Sequence, residues 1–424
     1  MKPVVLLFFL SLFSVSSFAG LTDHLVPLNI FHLDGSKLIT GGENKILTVV
    51  TESLPQHVGQ YRLEFYDLQN QKKISIVDDD KNQSSEKQFL ISPDNKYFVA
   101  DNRVYEVSSG DGDIFYEKAD IRGVQWSPDS RYLSLFKSLY NGGHIKDYDF
   151  SIVDHENSNS VVYHLELKIV DGDRNDSKFA RWSLDGKRIA ISYTSGITNQ
   201  AGSSESIVQN RFFVVNLSLG KIEFDLTSNE IPGTSFELSP DGRYVLFNSF
   251  YPMILDLSKS PEKSIIFKQD VQSSNHIFYP HWSKDGRFLW GQTFVGTDDY
   301  GYGQKTNIAY INPFDKNTKN YVKQFKLDVL YSQNGPDNFS FSPNEKYIIY
   351  YHYDFKTKLE EVRLFDTTSS KIIGAFSMKL WMNTSTMDDW FRGPIPPAWL
   401  NDNTILFKGD GGYLLKLEQT VNAQ

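Results

Sequence analysis

The sequence predicts an all-β chain, a β-propeller of eight four-stranded blades, with seven as the alternative count. Three observations lead there. A short turn motif recurs along the chain at the spacing of one supersecondary unit. Aromatic residues reach 14 %, with 31 Phe and 23 Tyr in 424 residues, a composition that suits pleated surfaces. No sustained helical period appears anywhere in the chain.

The N-terminus reads as a separate element. Lys2 supplies a positive start, Val4 to Phe13 is almost wholly apolar, and Ser17-Phe18-Ala19 places small residues ahead of a cut before Gly20. That is the pattern of a secretory signal peptide over 1–19. The apolar run is shorter than the roughly 20 residues a spanning helix needs, so cleavage, not anchoring, is expected, with no membrane span. The remaining residues, 20–424, are expected to form a single propeller domain. The chain has no Cys, which excludes disulfides, thiol chemistry and Cys-ligated zinc. An exported chain without Cys fits a bacterial periplasm, so a periplasmic or secreted location is expected. A net charge of −9 argues against nucleic acid, whose affinity rests on Lys and Arg at phosphates, and gives no reason to expect anionic lipid.

The repeats follow in order. "LITGGENKILTVV" from Leu38 is a weak first copy, then "FLISPDNKYFVAD" from Phe89, "VQWSPDSRYLSLF" from Val124 and "ARWSLDGKRIAIS" from Ala180. "FELSPDGRYVLFNS" from Phe236, "PHWSKDGRFLWGQ" from Pro280, "FSFSPNEKYIIYY" from Phe339 and a weak "PAWLNDNTILFKG" from Pro397 complete the series. The turn residues Glu43, Asp94, Asp129, Asp185, Asp241, Asp285, Asn344 and Asp402 lie 35 to 59 residues apart. Pro presets the first central φ of a type I turn, Asp bonds its own backbone, and Gly takes the left-handed position that follows. Asn95 tolerates that position, whereas Ser130 and Glu345 suit it poorly and predict distorted turns. Trp126, Trp182, Trp282 and Trp399 precede the motif, and Tyr97, Tyr132, Tyr244, Phe288 and Tyr347 follow it. Large residues at matching points of successive hairpins are expected where blade packs on blade, as core.

The shortest interval still holds four strands, "KYFVAD", "RVYEVS", "DIFYEK" and "RGVQWS". Four-stranded sheets repeated in this way describe a propeller. The last copy offers three strands, and "LVPLNIFHL" near the N-terminus is expected to supply its fourth, pairing Leu25–Leu33 with Tyr413–Glu418 and removing two edges.

The Trp-Ser-Pro-Asp-Gly-Lys/Arg pattern resembles the TolB-type propeller repeat, shared with propellers of the prolyl oligopeptidase family. The likeness runs over nearly all of the chain after the signal segment, without the small N-terminal domain of TolB and without a hydrolase domain. WD repeats differ, since no copy ends in Trp-Asp. The resemblance implies a propeller fold and partners such as envelope lipoproteins or imported toxins. Some propellers with this repeat are oligogalacturonate lyases that use a metal held partly by His, which implies the alternative of a metal-assisted carbohydrate enzyme.

Motif turns are short and uniform, so function is sought on the opposite face, in the long segments Ser138–Asp149, Thr194–Asn210, Phe294–Thr306 and Thr384–Pro397. There "MDDWFRGPIPPAW" concentrates Trp390, Phe391 and Arg392 in a Pro-stiffened stretch, the residue types that binding hot spots favour. "GTDDYGYGQKT" adds Asp298, Asp299, Tyr300 and Tyr302, and "NHIFYPHW" adds His276 and His281. His144, His276, His281 and His352 are candidate metal ligands, but packed or solvent-facing His is the better reading. "DGDRND", Asp171–Asp176, starts like a calcium loop but lacks the sixth-position Gly and twelfth-position Glu, and reads as a solvated turn. No nucleophile elbow or phosphate-binding loop occurs. The expected function is a non-catalytic binding scaffold for a protein partner in the cell envelope, with no cofactor.

Overall fold

The structure is a computed structural model. It describes residues 25–27, 37–40, 46–54, 57–68, 70, 72–79, 89–100, 103–114, 121–141, 144–157, 159–168, 178–199, 206–232, 236–248, 252–269, 277–297, 304–315, 321–330, 339–354, 359–377, 398–407 and 413–417. Strands are numbered in chain order from β1 (Leu25–Pro27).

Among the described residues there are eight four-stranded antiparallel sheets, the repeating layer of an all-β propeller. Blade one is β2–β5 (Lys37–Thr40, Ile46–Leu54, His57–Asp67, Lys72–Asp79), so the weak first copy builds a full sheet. Blade two is β6–β9 (Phe89–Ile91, Tyr97–Ala100, Arg103–Glu106, Gly112–Ile114). Blade three is β10–β13 (Ile121–Trp126, Tyr132–Asn141, His144–Asp154, Ser160–Lys168). Blade four is β14–β17 (Lys178–Trp182, Arg188–Asn199, Ser206–Asn216, Lys221–Ser228). Blade five is β18–β21 (Phe236–Leu238, Tyr244–Phe247, Met253–Asp256, Ile265–Lys268). Blade six is β22–β25 (Phe278–Trp282, Leu289–Thr297, Gln304–Ile311, Lys323–Leu330). Blade seven is β26–β29 (Phe339–Phe341, Tyr347–Asp354, Leu359–Asp366, Lys371–Ser377). Blade eight joins β30–β32 (Ala398–Asn401, Thr404–Phe407, Tyr413–Lys416) to β1, in the order β1-β32-β31-β30. The pairing of β1 sets Leu25 opposite Leu415 and Pro27 opposite Tyr413.

The chain divides into two compact units, Phe31–Asn338 with blades one to six, and Met1–Ile30 with Phe339–Gln424, holding blades seven and eight. In the larger unit, first strands of successive blades neighbour each other, β2 with β6, β10 with β14 and β14 with β18. Within the larger unit, the sheet of blade five is covered on both faces. In β19, Val245 and Phe247 pack with Phe212 and Phe224 of blade four, while Leu246 packs with Trp282 and Leu289 of blade six. Side chains alternate across a strand, so burial on both faces requires a continuous apolar run, and "YVLF" is one. Phe212 sits among Phe224, Phe236 and Phe247 with ring centroids 5.4 to 5.9 Å apart, mostly edge-on. Burying such a ring contributes about 1.5–3 kcal/mol.

The motif turns close through one recurring set of bonds. In blade two the Ser92 hydroxyl donates to Asp94 Oδ1 (2.7 Å) and accepts from Tyr97 N–H (2.9 Å), while Asp94 Oδ1 also accepts from Lys96 N–H (3.1 Å). The same set holds Ser127, Ser183, Ser239, Ser283 and Ser342 with their turn residues. Ser130 (φ 64°) and Glu345 (φ 58°) take the same left-handed conformation as Gly186, Gly242 and Gly286. Their turns keep the full bond set, so the expected distortion is absent. Ser130 gains a partner there, because its hydroxyl accepts from Asp94 N–H of the preceding turn at 2.9 Å. A turn also presses on its neighbour: a Cβ on Gly286 would stand 3.2 Å from Pro240.

The aromatic series is core, as the sequence expects. Tyr97 stacks on Trp126 (6.2 Å), Tyr132 on Trp182 (6.3 Å), and in the smaller unit Tyr347 on Trp399 (6.2 Å). Tyr244 meets Trp282 at 6.1 Å, more tilted.

Candidate functional site

First and second strands of a blade join through the motif turn, so second and third strands must join at the opposite end of the antiparallel sheet. In blades two and five those strands are four residues each. In blades one, three, four and six they run to between 8 and 12 residues. Within the larger unit, four long hairpins therefore extend from the end opposite the motif turns.

This revises the sequence reading of that face. The long segments Ser138–Asp149 and Thr194–Asn210 are strand over most of their length, since β11 and β12 reach to Asn141 and from His144, and β15 and β16 reach to Asn199 and from Ser206. Phe294–Thr306 likewise carries the ends of β23 and β24. A bulge marks each exit, between Glu52 and Leu54, Leu139 and Tyr140, Thr194 and Gly196, and Phe294 and Gly296. A bulge bends its strand and increases its twist.

Buried polar groups anchor the bases. Thr194 donates to Asn210 Oδ1 (3.0 Å), and Asn210 Nδ2 donates to the Ile231 carbonyl (2.7 Å) on the chain leaving the blade. In the second strand of blade six, Thr293 accepts from Gln324 Nε2 at 3.3 Å. Buried bonds of this kind fix direction, since leaving either partner unpaired would cost about 1–3 kcal/mol.

The residues named from sequence for binding lie outside the described residues: Trp390, Phe391, Arg392, Asp298, Asp299, Tyr300, Tyr302 and His276. So do Asp171–Asp176 and all of Thr384–Pro397. Chain order puts Asp298–Tyr302 between β23 and β24, and Trp390–Arg392 between β29 and β30.

His281 is described, and it is packed. Its ring stacks on Trp290 (4.6 Å), its Nδ1 is in hydrogen-bond contact with Glu237 Oε1, and Trp290 donates to the Trp282 carbonyl at 3.1 Å. Among the described residues no group of three or more His, Asp or Glu is placed to hold a metal ion. Sequence reasoning missed the partners of His281. Arg181, Glu237 and His281 each stand two residues before a motif Ser, on the first strands of three consecutive blades. Burial pulls the Arg181 guanidinium below its ordinary value, opposed by the charge of Glu237, and Arg181 Nη1 donates to the Ala180 carbonyl at 2.9 Å. The shared offset from the motif Ser was the available signal.

No protein-family model matches the chain, and no curated protein matches it. Solved structures do. The chain is similar to the WD40 domain of SCAP from fission yeast, with 12 % identity over 93 % of this chain and 98 % of that one, and a TM-score of 0.53. It is equally similar to the C-terminal WD40 domain of Sif2, with 12 % identity over 92 % and 98 % of the two chains and a TM-score of 0.53. At such identity the likeness shows the fold, an all-β propeller of four-stranded blades, and fold alone does not carry function.

Proposed function

We propose that this chain is a non-catalytic binding scaffold, periplasmic or secreted, that engages a protein partner through the face carrying the long hairpins. The observation that supports it most is the hairpin length itself. Four-residue strands suffice for blades two and five, so the added length elsewhere is not needed to close a blade. A two-stranded extension is marginally stable in water without further packing, which suits it to complete its packing against a partner. Rigid scaffolds concentrate recognition in such projections.

The candidate contacts are Trp390, Phe391 and Arg392, which follow β29 in the chain, and Asp298, Asp299, Tyr300 and Tyr302, which follow β23, with His276 ahead of β22. Trp and Arg supply large contact area and several donors, and Pro394, Pro396 and Pro397 pre-order the backbone, which lowers the entropy lost on docking. The TolB-type motif favours a partner in the cell envelope. The Met1–Ala19 segment supports export, and mass spectrometry of the mature protein should find Gly20 first.

The test is affinity capture from periplasmic extract with the wild type and a Trp390→Ala/Arg392→Ala variant. The expected result is one partner retained by the wild type and lost by the variant at unchanged melting temperature. Capture that survives the double substitution removes these residues from the interface. Stoichiometric metal and turnover of oligogalacturonate would replace the scaffold reading with the enzymatic one.

A further inference from the structure

Interfaces between successive blades repeat one packing device. At the second-to-third interface Tyr97, Trp126 and His155 form a three-ring cluster, with centroids 6.2, 4.4 and 5.6 Å apart. At the fifth-to-sixth, Tyr244, Trp282 and Phe314 do the same at 6.1, 4.9 and 6.2 Å. The matching positions at the fourth-to-fifth interface are Arg188, Leu238 and Leu257, none of them a ring. A cavity of about 270 Å³ opens there, lined in part by Arg188, Glu223, Phe224, Asp241, Arg243 and Leu257.

Its polar groups are only partly used. Arg188 Nε is held by Glu223 (3.2 Å), which also accepts from Asn216, and both Nη atoms of Arg188 remain without a partner among the described residues. Asp256 takes Nε (3.2 Å) and Nη2 (3.1 Å) of Arg243 and leaves Nη1. Asp241 uses Oδ1 for the Ser239 hydroxyl and the Arg243 N–H, leaving Oδ2. Phe224 and Leu257 supply apolar wall. Both arginines are about half-exposed, so the cavity is reachable from solvent.

The lining residues themselves, two guanidinium groups and two carboxylates, carry no net charge, and Asp256 behind Arg243 adds a further carboxylate. A phosphate dianion would stand beside Glu223 and Asp241, and a simple cation beside both arginines. A carboxylate fits the planar guanidinium donors, an ammonium fits the carboxylate acceptors, and a volume below the usual drug-sized range limits the rest to a small side chain. We propose that this interblade cavity binds a small zwitterion of the α-amino acid class, its carboxylate on Arg188 and Arg243 and its ammonium on Asp241 and Glu223.

The purified chain is titrated by calorimetry with each of the common amino acids, and with acetate, ethanolamine and inorganic phosphate. At least one amino acid should bind saturably, with the three simple ions tenfold or more weaker. Arg188→Tyr restores the ring found at neighbouring interfaces, and it should weaken amino-acid binding at least tenfold while the melting temperature holds or rises. If Arg188→Tyr does not fold, as judged by circular dichroism, Arg188→Gln serves in its place, with the same loss expected. No saturable amino-acid binding, equal binding of phosphate or acetate, or unchanged affinity in the Arg188 variant would each overturn the assignment.

Discussion

Asp154 and Asp256 end the third strands of blades three and five, each 2 % exposed. Arg131 donates from Nε (3.1 Å) and Nη2 (2.7 Å) to Asp154, and Arg243 reaches Asp256 in the same way. The Arg131 guanidinium holds the Asp154 carboxyl below its ordinary value. Burial pushes Asp256 up, but the Arg243 guanidinium and the Ser258 hydroxyl outweigh it, and the net direction is down. A folded-state value below the unfolded one stabilises the fold above the ordinary carboxylate range, and that contribution disappears as pH falls through the folded value. Asp256→Asn should therefore cost about 1.5–3 kcal/mol near neutral pH, the worth of hydrogen bonds to a charged group. As pH falls below about 4 and on through the lowered folded value, the wild type should lose its advantage, so urea unfolding of the two proteins should converge only below that folded value.

The motif turn shows how far local chemistry is legible. Pro, Asp and the left-handed residue are turn signals in any sequence, and the motifs at Asp94, Asp129, Asp185, Asp241, Asp285 and Asn344 are turns in the structure, while Glu43 lies outside the described residues. The role of the motif Ser was not legible, because it depends on bonds closing across five residues. Ser127 is fully buried, donates to Asp129 and accepts from Tyr132 N–H at 2.8 Å. Ser127→Ala leaves that N–H without an acceptor, and should destabilise the protein by about 1–3 kcal/mol in denaturant unfolding. Ser130 and Glu345 show the reverse case. Intrinsic preference disfavours them, yet the closed bond set holds φ positive, and at Ser130 the neighbouring turn adds a bond that Gly cannot make. Tertiary context overrides propensity where several bonds agree.

At the scale of the whole molecule, the pairing of β1 with β32 joins the described strands that lie farthest apart in sequence, Val26 opposite Leu414. Without β1, strand β32 would present an open edge, with unpaired backbone groups and uncovered apolar side chains. A chain starting at Leu28 should lose roughly 2–4 kcal/mol relative to one starting at Gly20, measured by thermal or urea unfolding. Identical unfolding of the two would mean that β1 contributes nothing to stability.

The sequence by itself determined the strand-and-turn unit, its repetition and the identity of its aromatic core. Those features rest on period, turn residues and side-chain volume, all written within a dozen neighbouring residues. Only the tertiary structure decided that the long segments are hairpins, since "SLYNGGHIKDYD" reads equally as a loop until its two halves pair. It also decided that His281 meets Glu237 and that Arg188 borders a cavity. For His281 and Arg188 the outcome depends on what the adjoining blade, many residues away, places opposite the side chain. A single sequence carries no record of that pairing until folding makes the two surfaces one interface.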